Sequence, residues 1–146
     1  MRNEYFARTE HVLAVRRVCG LFEFIAPPAF WSADIPTLRA VYNGIGPDRW
    51  SGHFRRLVTF LLAWFEAAAI IHDWEYTFMP KTYRAFTAAN WRFAKNVCRE
   101  AIMYYRDIPG GWRMIARRVT EGLLLAMLCQ FFGWSGFLTA KPEDIL

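Results

Sequence analysis

The sequence predicts a mainly α (α+β) domain: a small N-terminal β-hairpin followed by three long helices, the first two of them antiparallel. Three observations lead there. Residues 53–78 run without Gly or Pro and are rich in Leu and Ala, the pattern of a long helix. Residues 82–107 place Phe86, Ala89, Phe93, Val97 and Met103 or Tyr104 at helical spacing. Residues 112–134 are basic at the start and apolar toward the end. Only the Met79-Pro80-Lys81 break separates the first two helices, 57–78 and 82–106, and so short a connection makes neighbours antiparallel.

The elements follow in chain order. "HVLAVRRV" and "LFEFIA" are β-branched in patches and flank Cys19-Gly20, which reads as two short strands about a turn. A helix through His11–Val18 is the competing pattern. "PPAFWSADIP" has prolines at both ends and reads as loop, with a helical turn in "TLRAVY". In "NGIGPDRWSG" the Asn-Gly, Gly-Pro and Ser-Gly pairs are all turn dipeptides. The first long helix is apolar on most faces between Leu57 and Ile71, so it belongs at the centre. Thr82 is placed to cap the second, and Ile108-Pro109-Gly110-Gly111 ends it. The organisation is therefore one domain over 1–146: hairpin and loop at 1–36, helical core at 37–134, and a tail at 135–146.

Composition narrows the function classes. Apolar residues make up 55 % and aromatics 18 %, enough for a packed core and not the profile of a disordered chain. The net charge of +5 favours an anionic partner: nucleic acid, phospholipid headgroups or an acidic protein. No helix-turn-helix, zinc-finger or RNA-binding motif is present, which disfavours nucleic acid. No P-loop, Rossmann glycine pattern or nucleophile elbow appears. Cys19, Cys98 and Cys129 are odd in number and widely spaced, so a reducing compartment is expected rather than a disulfide framework. Met1–Glu10 are polar and charged, unlike a signal peptide. The longest apolar run, 122–140, contains Gln130, Ser135 and Thr139. It reads either as a membrane span or as a buried or lipid-touching helix. The pairs Arg16-Arg17, Arg55-Arg56 and Arg117-Arg118 are solvated helix ends or contacts for phospholipid headgroups.

One constellation carries chemistry. "YNGIG" (42–46) precedes "HDWEY" (72–76). His72 and Asp73 are adjacent on a helix, so their side chains diverge by about 100° and serve one cavity in separate tasks. Tyr76 lies one turn after His72 on the same face. Histidine is a general base near neutral pH. A carboxylate beside it can hold a hard cation such as calcium if other oxygens are near, and glycine-rich backbone supplies carbonyls. The competing reading is a structural histidine at the end of an apolar helix, with Asp73 paired to an arginine. A metal phosphohydrolase of the HD type would need further His and Asp ligands, and only His11 and His53 remain.

These motifs resemble the secreted phospholipase A2 superfamily, whose calcium loop reads Y-x-G-x-G and whose helix carries H-D-x-x-Y. The resemblance implies a phospholipase A2-like antiparallel helix pair. It implies backbone carbonyls of Tyr42, Gly44 and Gly46 with the Asp73 carboxylate as calcium ligands. His72 would be the base that deprotonates water, and Tyr76 would support the histidine's acidic partner. That partner's position falls on Asn90, in "NWRFAKNV", which can accept a hydrogen bond but brings no charge. The interval from Gly46 to His72 is also longer than usual in that family, and its disulfides are missing. Over residues 21–137 the chain also resembles a family of phage and prophage proteins, through "PPAFWSADIPTL", "AAAIIHDWEYTF", "FTAANWRFAKNVCREAI" and "FFGWSGF". There again Asn90 stands where Asp is usual. The expectations are a calcium-assisted ester hydrolase, weakened or inactive. The alternatives are a non-catalytic phage protein for assembly or host-envelope contact, and a small membrane-associated lysis protein. Host cytoplasm or virion is expected before secretion, with phospholipid, phage or host proteins as partners.

Overall fold

The computed structural model describes residues 24–41 and 65–144. Helices follow one another: α1 (Pro28–Ser32), α2 (Ile35–Val41), α3 (Glu66–Phe78), α4 (Tyr83–Tyr105), α5 (Gly111–Phe132) and α6 (Trp134–Thr139), then a 3-10 turn at Pro142–Asp144. No strand occurs among the described residues. The expected hairpin lies outside them except for Phe24–Ala26, which is irregular. The glycine loop, and the first expected helix before Phe65, also lie outside them.

The layers run α2, α3, α4, α5, with α6 folding back onto α3 and α5. The α3 helix is central, as its apolar faces require. One side packs Ala67, Ile70, Ile71 and Trp74 against Phe24, Phe30, Leu38 and Val41. The other packs Ala68 and Ala69 with Phe93, Ala94, Val97, Ala101, Leu125 and Ala126. His72 and Tyr76 both reach Asn90 while Ala68 meets Glu100, so α3 and α4 are antiparallel. The Ala68 amide donates to Glu100 Oε2 at 3.2 Å. A carboxylate there satisfies an otherwise orphan first-turn N–H and faces the positive end of the helix.

Helix boundaries follow local chemistry. Thr82 Oγ1 accepts from the Ala85 amide at 3.2 Å, the cap expected for α4. Gly110 enters α5 with φ of 74°, a left-handed conformation that suits glycine. Gly122 presses its backbone against the Val97 side chain, which sets how closely α5 approaches α4.

Two sequence expectations need correction. The "PPAFWSADIP" stretch is not plain loop. Pro28 starts α1 at a position that needs no N–H, and the Asp34 carboxylate caps α2 by accepting from the Thr37 amide at 2.8 Å. Residues 135–144 are not a simple tail: Gly133 interrupts the third helix, and α6 turns back to bury Phe137 completely against Tyr76 and Phe86. No helix of the described residues is long and apolar enough to cross a membrane, so the span reading of 122–140 finds no helix to carry it.

Candidate functional site

The site is built where α3, α4 and α5 meet. His72 is buried on α3, with its ring between Tyr76 at 4.0 Å and Phe93 at 4.8 Å between centroids. Its Nε2 lies 2.9 Å from Asn90 Oδ1. Tyr76 donates its hydroxyl to the same oxygen at 2.8 Å. Asn90 donates its Nδ2 to Gln130 Oε1 on α5 at 2.9 Å. Asn90 is itself only 3 % exposed, so this chain of amides and rings runs through the interior.

Each group is held by the backbone that carries it. His72 and Tyr76 stack one turn apart on α3. Gly133 lets α5 end against Tyr76, because an added Cβ would sit 2.6 Å from the Tyr76 hydroxyl. Burial, first, and then the negative side chains near it drive the Tyr76 phenol well above its ordinary range, so it stays a donor. Burial likewise pushes the Cys129 thiol up to about 12, helped by the Asp73 charge, and makes it inert as a nucleophile.

On the other side of the ring, His72 Nδ1 lies 3.6 Å from Asp73 Oδ1. That is too long for a hydrogen bond and within ion-pair reach. The diverging directions of adjacent helical side chains account for it. Asp73 is 37 % exposed, and among the described residues His72 is its only partner at ion-pair distance. No arginine of the described residues lies at ion-pair distance from Asp73. The sequence-predicted residues His72, Asp73, Tyr76 and Asn90 come together. Tyr42, Gly44 and Gly46 lie outside the described residues. Among the described residues no group of three or more His, Cys, Asp or Glu side chains is gathered to hold a metal. Among the described residues Asp73 is the one carboxylate at ion-pair distance from His72 Nδ1.

Three residues escaped sequence reasoning: Glu75, its partner Arg92, and Gln130. Glu75 is fully buried and bonded through Oε1 to Arg92 at 2.6 Å, while its Oε2 has no hydrogen-bond partner among the described residues. Burial raises its pKa, and the Arg92 hydrogen bond and charge oppose that rise. Gln130 was visible only as a polar residue in the longest apolar run. Compared with family models, curated proteins and solved structures, the chain finds no match.

Proposed function

We propose that the protein is a phospholipase A2-like, calcium-assisted ester hydrolase of reduced activity. The observation that carries this reading is the buried His72 Nε2–Asn90 Oδ1 contact, with Tyr76 on the same oxygen and Nδ1 turned toward Asp73. In this reading Nδ1 takes a proton from water, and the water oxygen bonds to the ester carbonyl carbon. The carbon–oxygen bond to the leaving alcohol then breaks, and the imidazolium returns its proton to that alcohol. Asn90 orients the ring and stabilises the imidazolium only by its dipole, so the rate is lower than a carboxylate partner would permit. Asp73, with carbonyls of Tyr42, Gly44 and Gly46, would hold the calcium ion. Calcium supplies electrophilic stabilisation of the developing oxyanion when bound.

The membrane as partner is supported by the outward face of α5. It exposes Leu124, Met127 and Phe131 at helical spacing and carries Arg113 and Arg117 near its start. One observation favours a second reading, a non-catalytic phage protein for assembly or envelope contact. On the Nε2 side the described residues offer the ring only the neutral amide of Asn90, already bonded to Gln130, and no carboxylate.

The test is turnover of a short-chain phospholipid with calcium by wild type, His72→Ala and Asn90→Asp. Aspartate at 90 accepts from His72 and Tyr76, and from Gln130 once that amide turns round. The hydrolase reading expects Asn90→Asp to exceed wild type by about tenfold or more, each ~1.4 kcal/mol of barrier being a factor of ten. Turnover of all three at the His72→Ala background supports the non-catalytic reading.

A further inference from the structure

We infer that the protein meets an anionic lipid surface end-on, through the elbow between α5 and α6, and not by laying α5 flat on it. The inference deepens the membrane contact proposed above and rests on it. Phe132 carries the argument. It is 69 % exposed, much as Phe131 is at 70 %. Leu124, Met127 and Phe131 share one face of α5, but the next residue along a helix points about 100° away. With α5 flat on a bilayer, Phe132 stays out of it. Only at the helix end do both rings enter one apolar layer. The apolar surface continues across that end onto a neighbouring helix. Trp134, half-buried, makes an edge contact with exposed Tyr83 of α4, at 5.8 Å between centroids.

The elbow is held in shape from within. Phe137 is buried against Tyr76 and Phe86, and Gly133 leaves no room for a Cβ beside the Tyr76 hydroxyl. Phe131 and Phe132 are therefore presented by a packed turn. Rings that diverge from a convex end do not both seat on one flat protein surface, whereas a fluid bilayer closes around them. Trp and Tyr beside them suit the headgroup level, where an amphipathic ring finds both its solvents. The charge at this end suits anionic headgroups. Arg84 follows Tyr83 and is exposed, and the Lys81 ammonium lies 4.8 Å from the Phe137 ring centroid. Exposed Lys141 and Glu143 offset each other. Arg117 lies about 22 Å back along α5 from Phe132. Charges act over about 8 Å at physiological ionic strength and about 30 Å at 0.01 M salt. End-on, Arg84 therefore acts on headgroups in both conditions, and Arg117 only in dilute salt.

The test is sedimentation of the full chain with vesicles of equal parts phosphatidylglycerol and phosphatidylcholine at physiological ionic strength, with circular dichroism to show that each variant is folded. Phe132→Ser is expected to weaken binding about tenfold, the loss of one ring from an apolar layer. That is as much as Phe131→Ser and more than Met127→Ser, whose side chain lies further back. Leu124→Ser, about 12 Å back from Phe132, should bind nearly as wild type. Should the serine variant fail to fold, Phe132→Gln, a better helix former, takes its place. Arg84→Gln should weaken binding in this buffer, and Arg117→Gln only in dilute salt. Loss in the Phe132 variant with Leu124→Ser unchanged supports both the membrane contact and its orientation. A folded Phe132 variant that binds as wild type, while Leu124→Ser and Arg117→Gln lose affinity in this buffer, overturns the end-on orientation. It leaves α5 lying flat, with the membrane contact intact. Wild-type affinity in every variant, or no binding by wild type, removes the contact and the orientation together.

Discussion

The seam between α3 and α4 and the outward face of α5 invert the usual partition of side chains. The seam buries His72, Glu75, Asn90, Asn96 and Glu100, each at most 6 % exposed. The outward face leaves Met127 54 %, Phe131 70 % and Phe132 69 % exposed. Scattered exposed apolar residues are ordinary, but buried polar groups and contiguous apolar surface are informative. Inside, each of these polar side chains has a role in joining elements. Asn96, for instance, grips Ile25 by donating to its carbonyl and accepting from its amide, both at 2.8 Å. Outside, the apolar side chains join nothing within the described fold. The difference teaches that the two regions answer to different measurements. Changes in the seam should register as lost stability, and changes on the outward face as lost binding.

The seam breaks most severely at Arg92. Arg92→Met strands the Glu75 carboxylate, fully buried and with one oxygen unpartnered among the described residues. Removing one member of a buried pair costs about 3–5 kcal/mol. Urea unfolding should show that loss, and Glu75→Gln in the same chain should recover much of it. A loss below about 1 kcal/mol would mean the pair behaves like one on the surface.

Much of the seam was legible in the sequence, for reasons that can be named. His72, Asp73 and Tyr76 sit within one turn of one helix, so spacing alone places them together. Asn90 was reached only through the resemblance to the phospholipase A2 helix pair, while the short Met79–Lys81 break set its helix back along the first. Glu75 and Arg92 were missed because both are ordinary surface residue types, and only their burial makes them notable. Gln130 was missed because its partner is separated by 40 positions and a second helix crossing, which no local pattern encodes. The short helix α6 was missed because Gly133 and Gly136 read as loop, while its burial depends on Phe137 finding Tyr76 and Phe86.

Glu121 sits on the border of the two regions and sharpens the contrast. It accepts from buried Arg118 at 2.6 Å and from exposed Arg117 at 2.9 Å. Burial raises its pKa, but those two hydrogen bonds and charges together hold it below the ordinary value of 4.5. A depressed carboxyl stabilises the fold above its unfolded pKa. Between the two values the unfolded chain binds the proton more readily, so that stability is lost as pH falls through the folded value. Glu121→Gln should therefore cost on the order of 1 kcal/mol at neutral pH, and the deficit should close below the folded pKa. A deficit independent of pH would assign the effect to packing rather than charge.

The smallest stability effect belongs to the outward face, and it tests the proposed membrane contact. Met127→Ser and Phe131→Ser remove side chains that are mostly exposed, so each should change stability by no more than about 0.5 kcal/mol. Their effect on lipid should be far larger. A Phe side chain moved fully from water into an apolar layer contributes about 1.5–3 kcal/mol. Partial insertion at the lower figure corresponds to roughly tenfold in affinity. Sedimentation with vesicles rich in phosphatidylglycerol should thus weaken by about that factor for Phe131→Ser, while Arg117→Gln should weaken binding at low salt more than at high salt. Neutral phosphatidylcholine vesicles should respond to the serine variants and not to Arg117→Gln. If both serine variants bind anionic vesicles as wild type does, the outward face is not the lipid-contacting surface, and its apolar half must be assigned to a protein partner instead. If they unfold the chain, the face is packed, and the contrast between the two regions fails at its outer side.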